Sequence, residues 1–377
     1  MKILVVTATY IPSLNGVAIT IENQKRQLEA RGHRLTIIAP GHPRQTPDPS
    51  VIRLPSITIP GFPDFPLPIL LNSRLSQIFS DQFDIVYFHH PFYVGSHALY
   101  LSRRLKCPAV FFYHSRYDLL AQIFLPRFFP KSLVSAYINR SVFSLIEKTN
   151  QIVVETPTVK NHLLHQGVTT PIATIPNFRE PMRLPAFDRI KTTAKYQLSP
   201  AIPVILCVSR LSKEKNLGTL LSIASQIPRR HRFQLVFAGG GGELDNLKKA
   251  ALSLGIFKFC HFLGPIEFNQ IPEIYSIADI FAYPCQTDTQ AIVISEAMTA
   301  ALPIIAFNAP GPIDFVVHKS AGFLCSTEEE FVKHLSQLLT DPQLRKKLGS
   351  QAEKAAKEFT PAKTAINLER LFLSLIK

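Results

Sequence analysis

The residues best suited to chemistry stand just behind apolar runs. Arg210 and Lys215 lie in the segment SRLSKEKN, directly after Pro203–Val208. An Arg fork and a Lys ammonium at the end of a buried strand can clamp a diphosphate, although a solvated charged loop has the same composition. Gly239-Gly240-Gly241-Gly242 follows the apolar Phe233–Ala238. Without a Cβ, Gly239 and Gly241 would let a base or phosphate approach the backbone, or would simply turn the chain. A third segment runs from Tyr283 through Cys285, Asp288, Thr289, Gln290, Ala291 and Ile292 into an apolar helix carrying Glu296. A carboxylate there can accept hydrogen bonds from ribose hydroxyls, or can do no more than complement the helix dipole. In the first half, Asn15-Gly16 closes a loop, and Gly16 leads into a helix whose free N–H groups can meet an anion. His89, His90 and His114 end two apolar runs, where a polar residue of a parallel strand faces the ligand side. Buried structural histidines would look the same.

Such positions need a frame. Lys2–Thr7, a helix over about Thr20–Arg31 and Arg34–Ile38 read as strand, helix and strand, a βαβ unit with a parallel sheet. Residues 41–72 are Pro-rich and read as a long loop with one short strand near Val51–Leu54. The alternation then resumes through Asp84–Phe88, Ala109–Tyr113, Ile152–Glu155 and Ile172–Ile175. A linker of mixed polarity is expected over Pro176–Ser199. The pattern restarts at Pro203–Val208 and continues through Ile280–Tyr283 and Ile304–Ala306 to terminal helices. Two successive parallel α/β domains result, at 1–180 and 181–358, with a last helix at 359–377. Ligands of such sheets sit outside the carboxyl ends of the strands, so the expected site is the cleft between the two domains.

The 377 residues, 46% hydrophobic and 18% charged, exclude disorder over most of the length. No apolar run reaches the roughly 18 residues that span a bilayer, and the N-terminus reads as a strand rather than a leader. The net charge of +14 suits nucleic acid, an anionic membrane face or a phosphorylated small molecule. Five scattered cysteines without a CxxC pair are neither a disulfide framework nor a zinc site, which fits reduced thiols in a cytoplasmic protein. There is no D-x-D, HExxH, GxGxxG or GxxxxGK[ST], so no metal, nicotinamide dinucleotide or P-loop chemistry is expected. A basic-aromatic stretch spans Arg116, Phe124, Arg127, Phe128, Phe129 and Lys131, a composition suited to an anionic bilayer.

Taken together, SRLSKEKN, the Gly-rich turn and ADIFAYPCQTDTQAIVISEAMTAALPIIA resemble glycosyltransferase family 4. The resemblance runs over essentially the whole chain. It implies the GT-B architecture, two Rossmann-like parallel-sheet α/β domains facing a cleft. It implies that Arg210 and Lys215 bind the donor diphosphate, that Glu296 binds the donor ribose, and that Gly16 and the Asp288–Ile292 segment lie near the transferred sugar. His114 is placed near the reacting centre. The first half, with FDIVYFHHPFYVGSHALYLSRRLKCPAVFFYHSRYDLLAQ, is similar to bacterial diacylglycerol glucosyltransferases. That likeness implies retaining transfer of glucose from UDP-glucose to a lipid hydroxyl, without metal or cofactor, on the inner face of the cell membrane. The chain departs from the family pattern where Asp288 replaces the first Glu of E-x7-E, Ala291 a Gly, Ser209 a Gly, and Phe178 the Gly of Pro-Asn-Gly. A soluble acceptor, another donor and a non-catalytic relative are the alternatives. A nucleic-acid binder has only the net charge in its favour.

Overall fold

The computed structural model describes residues 1–13, 15–59, 62–69, 76–114, 117, 130–178, 188–316 and 320–376. They form two compact units, Met1–Arg179 with Thr360–Lys377, and Glu180–Phe359.

Unit 1 is built on a seven-stranded parallel sheet. Its strands are β1 (Lys2–Val6), β2 (Arg34–Pro40), β3 (Val51–Leu54), β6 (Ile85–Phe88), β7 (Ala109–Tyr113), β8 (Gln151–Val154) and β9 (Ile172–Thr174), in the order β3-β2-β1-β6-β7-β8-β9. The central strands IVYF and AVFFY are buried at every position, as continuous apolar runs must be when helices cover both faces. The helices are α1 (Gly16–Ala30), α2 (Ser76–Ser80), α3 (Phe92–Leu105), α4 (Lys131–Ile146) and α5 (Pro157–His165). Gly95 lets α3 sink into the core, since a Cβ there would fall 2.5 Å from Leu145 Cδ1 and 2.9 Å from the His90 carbonyl. Helix α1 begins four residues earlier than its apolar period suggests, because Asn15 Oδ1 accepts from Ala18 N at 3.0 Å and caps it.

The Pro-rich stretch is not simply a loop. It holds an antiparallel ribbon, β4 (Ser56–Ile59) with β5 (Phe62–Pro68). A two-stranded ribbon has two edges, where prolines lacking an N–H are tolerated.

Unit 2 carries a six-stranded parallel sheet. Its strands are β10 (Val204–Val208), β11 (Gln234–Ala238), β12 (Cys260–Gly264), β13 (Ile280–Tyr283), β14 (Ile304–Phe307) and β15 (Gly322–Cys325), in the order β12-β11-β10-β13-β14-β15. Its helices are α6 (Arg189–Lys195), α7 (Leu217–Ser225), α8 (Leu244–Ser253), α9 (Ile271–Ser276), α10 (Ile292–Thr299), α11 (Pro312–Phe315), α12 (Glu328–Thr340) and α13 (Pro342–Ala356). Helix α6 occupies part of the expected linker, started by Asp188, whose side chain accepts from Ile190 N and Lys191 N. Strands β12 and β15 escape the sequence pattern because one carries a His among its apolar residues and the other opens on Gly322. That glycine is required, since a Cβ would lie 1.9 Å from the Ile304 carbonyl of the paired strand. The core joins Leu220, Leu221, Phe237, Ile305, Phe331 and Leu335, all fully buried.

The last helix, α14 (Pro361–Ile376), belongs to unit 1. Ala365, Leu368 and Phe372 pack with Ile21 and Leu28 of α1. Glu369 accepts from Arg31 Nε at 2.8 Å and pairs with His33 Nε2 at 2.8 Å, and these donors hold its carboxyl below the ordinary range.

Candidate active site

Three loops meet at the carboxyl edge of the unit 2 sheet, behind the adjacent strands β11, β10 and β13. Backbone bonds join the first two, with Leu211 N donating to Gly240 O at 2.9 Å and Glu243 N to Leu211 O at 3.0 Å. This contact explains the glycines. A Cβ on Gly239, whose φ is +143°, would lie 1.9 Å from the Ser209 carbonyl, and one on Gly241 would lie 2.3 Å from that of Leu211. Their bare backbones are therefore needed to seat residues 209–211, whatever else approaches them. Asn216, at a φ of +55°, turns the loop into α7 and donates through Nδ2 to Pro284 O at 3.3 Å, which brings in the third loop. Cys285 Sγ and Thr287 Oγ1 both donate to Glu214 O, at 3.2 and 3.3 Å.

The charged groups are held within this frame. Arg210 is more than half exposed, and its Nη2 donates to Glu214 Oε1 at 3.1 Å. Ser212 Oγ donates to the same oxygen at 2.6 Å, while the buried Glu214 Oε2 has no partner among the described residues. Lys215 Nζ donates to both oxygens of Asp288, at 2.7 and 2.8 Å, and Tyr283 OH donates to Asp288 Oδ2. Burial alone would push the Lys215 ammonium down, but the carboxylate against it outweighs burial and holds it above the ordinary lysine range. Burial likewise works to raise the Asp288 carboxyl, and Lys215 with Tyr283 overcomes this and keeps it low. The shortened residue of the expected E-x7-E pattern is thus spent on Lys215, the cation expected to meet a diphosphate.

Ala291 caps α10 with a φ of +56°, the left-handed conformation that explains the Gly of the family pattern. Thr289 and Gln290 are buried, and Ile292 opens the helix half-buried. Glu296 is buried, and its Oε2 accepts from Tyr275 OH at 2.9 Å.

In unit 1 the carboxyl ends of β6, β7 and β8 carry His89, His114 and Glu155. His114 Nδ1 lies 2.9 Å from Glu155 Oε1, and its Nε2 lies 2.7 Å from His89 Nδ1. Protons on His114 Nδ1 and His89 Nδ1 satisfy both bonds and leave His114 Nε2 as the acceptor. Burial pushes His89 well below the usual histidine range, and pushes His90 down to about 3. Both ring nitrogens of His114 are therefore engaged by neighbours in its own unit. Gly16 is exposed at the start of α1, with open space where a Cβ would stand. Arg116, Phe124, Arg127, Phe128 and Phe129 lie outside the described residues, as does the side chain of Lys131, the first residue of α4. No group of three His, Cys, Asp or Glu among the described residues could hold a metal ion.

Sequence reasoning passed over Glu214, Tyr275 and Glu155, and named Tyr283 only as the start of its segment. Two of them had a signal. Glu214 is the one acid between the two cations, and Glu155 ends a strand at the same edge as His89 and His114. Tyr275 had none, since it reads as core.

Two family profiles match this chain. That of glycosyltransferase family 4 covers residues 14–183, and that of the glycosyl transferases group 1 covers residues 188–355. The chain belongs to the glycosyltransferases that join these two segments, and its paired parallel sheets have the GT-B fold. Among its relatives is the alpha-monoglucosyldiacylglycerol synthase of Acholeplasma laidlawii, 26% identical over 100% of this chain and 98% of that protein. The synthase of the same name from Streptococcus pneumoniae is 26% identical over 90% of this chain and 78% of its own length. A GDP-mannose-dependent alpha-mannosyltransferase of Corynebacterium glutamicum is 23% identical over 86% and 76%. Of solved structures, sucrose-phosphate synthase from Thermosynechococcus elongatus superposes with a TM-score of 0.79 at 17% identity, covering 100% and 99% of the two chains. Anabaena HepE in complex with UDP-glucose gives 0.74 at 18%, covering 100% of both.

Proposed function

We propose that this glycosyltransferase moves a hexose, glucose from UDP-glucose, onto the hydroxyl of a membrane lipid such as diacylglycerol, with retention at the anomeric carbon. The observation that carries the lipid acceptor is the likeness, end to end, to a glucosyldiacylglycerol synthase. Unit 2 would hold the donor, its ribose at Glu296 and its diphosphate between Arg210 and Lys215. Departure of the nucleoside diphosphate builds negative charge, which Lys215, held by Asp288, and Arg210, held by Glu214, would stabilise. His114, tied to Glu155 and His89, orients groups at the carboxyl edge of unit 1 and is not assigned as a base. No cofactor is assigned, since the nucleotide sugar is a substrate.

The described surface of unit 1 suits a membrane. Tyr93, Tyr100 and Arg104 are exposed on α3, and Tyr137 and Arg140 on α4. Tyrosines and arginines side by side belong at the headgroup level of an anionic bilayer, here the cytoplasmic face. No described helix is long and apolar enough to cross a membrane, so attachment would be peripheral.

GDP-mannose is the second donor to consider, because a GDP-mannose-dependent mannosyltransferase is 23% identical over 86% of this chain. Calorimetric titration separates the two. UDP should bind one-to-one and more tightly than GDP, and a tighter GDP would turn the donor to a guanosine sugar.

A further inference from the structure

We infer that unit 2 has its own docking surface for an anionic lipid bilayer, at the amino edge of its sheet, opposite the loops of the candidate site. The inference deepens the glycolipid reading and rests on it. Two turns make this surface. The first, Arg229-Arg230-His231-Arg232, enters β11. The second, Leu254–Lys258, leaves α8 and enters β12. Strands β11 and β12 are hydrogen-bonded neighbours running in parallel, so their entries lie side by side. The rings of Phe233 and Phe259, 5.5 Å apart, join the two turns.

The chemistry of the edge is that of an interface. Arg229, Arg230, Arg232 and Lys258 are exposed, and none pairs with an acid among the described residues. Lys258 lies over the Phe259 ring, 5.0 Å from its centroid. Beside these cations Leu254 and Phe257 hold 41% and 40% of their surface in solvent, where burial would be favoured. Between Gln226 and Gly264 the only acids are Glu243 and Asp245, and both stand where α8 begins, at the far edge of the sheet. A bilayer accommodates both kinds of group in one plane, with cations at the phosphates and Leu and Phe below them. An acidic protein or a nucleic acid would match the arginines but would give no reason for exposed aliphatic carbon at their side.

The test is vesicle binding by the full chain. Large vesicles of phosphatidylglycerol and phosphatidylcholine would be sedimented with the wild type, with Arg229→Ser/Arg230→Ser/Arg232→Ser and with Leu254→Ser/Phe257→Ser. A cation at an anionic surface is worth roughly a factor of five in affinity, so the triple variant should bind about a hundredfold more weakly. The Leu254/Phe257 variant should lose the binding that persists at high salt. UDP binding should be unchanged in both, which also reports their folding. Wild-type affinity for vesicles in either UDP-competent variant would overturn the inference, as would equal binding of the wild type to pure phosphatidylcholine. Binding that depends on these residues, with no labelled lipid formed from any donor, would keep the surface and reject the glycolipid reading instead.

Discussion

Asp288→Asn separates what Lys215 does for the fold from what it does for a ligand. The substitution keeps the shape and leaves an oxygen for Tyr283 OH, but removes the charge that Lys215 contacts at 2.7 and 2.8 Å. With charge centres about 3.5 Å apart and an effective dielectric near 20, the attraction is about 5 kcal/mol. Desolvation offsets much of that, and stranding one partner of a fully buried pair costs about 3–5 kcal/mol. Here the side chains are 14% and 24% exposed, and water screens them, which reduces the expected loss to about 2–3 kcal/mol. For a unit of this size that is roughly 4–12 °C in melting temperature.

The variant should also answer UDP differently. In the wild type Asp288 takes two of the three Lys215 donors and repels an incoming phosphate. In the variant a diphosphate bound at Lys215, as proposed, would become the missing counterion. A tenfold gain in affinity would add about 1.4 kcal/mol of stabilisation at saturating ligand. The pH dependence has a definite sign. The depressed Asp288 carboxyl contributes stability that is complete above the ordinary carboxylate range and is lost as pH falls through its folded value. The raised Lys215 contributes below the ordinary lysine value and loses this as pH rises through its folded one. The variant should therefore lose less stability than the wild type on acidification. Differential scanning fluorimetry with and without UDP reads all three effects. An unchanged melting temperature, or a smaller UDP-induced rise in the variant, would refute the reasoning.

Three further outcomes are expected. Lys215→Ala should slow turnover by about 2–4 kcal/mol of transition-state stabilisation, as for loss of one preorganised donor, and unchanged turnover would remove Lys215 from the diphosphate. EDTA should leave activity intact under the proposal that Arg210 and Lys215 supply the counter-charge, and a loss restored by one divalent cation would overturn it. Tyr275→Phe should cost about 1.5–3 kcal/mol in urea unfolding, since the buried Glu296 loses a donor, whereas an unaltered midpoint would show that Tyr275 does not hold that carboxylate.

The sheets were legible in the sequence because strands buried on both faces read as unbroken apolar runs, as in ILVV, IVYF, AVFFY and VILCV. The edge strands β3 and β9 were legible too, whereas β12 and β15 were not, because His261 interrupts the apolar run of the one and Gly322 opens the other. Asn15 shows the limit at helix starts, where one side-chain bond moved the boundary of α1 by four residues. At the site, residue types and loop positions predicted which groups gather but not how they pair. Nothing in the spacing of Lys215 and Asp288, 73 residues apart, foretells a bidentate ion pair. The Gly-rich turn was legible as a place of close approach, yet the partner that the structure shows is the backbone of Ser209 and Leu211.

Glycosyl transfer to a lipid is most directly tested by following the sugar. The purified chain would be incubated with radiolabelled UDP-glucose, UDP-galactose or GDP-mannose, with and without diacylglycerol in anionic vesicles, and the products extracted into organic solvent. The account predicts label from UDP-glucose in the organic phase, dependent on diacylglycerol and formed at least about thirtyfold more slowly by Lys215→Ala. Label that stays in the aqueous phase with every donor would contradict it.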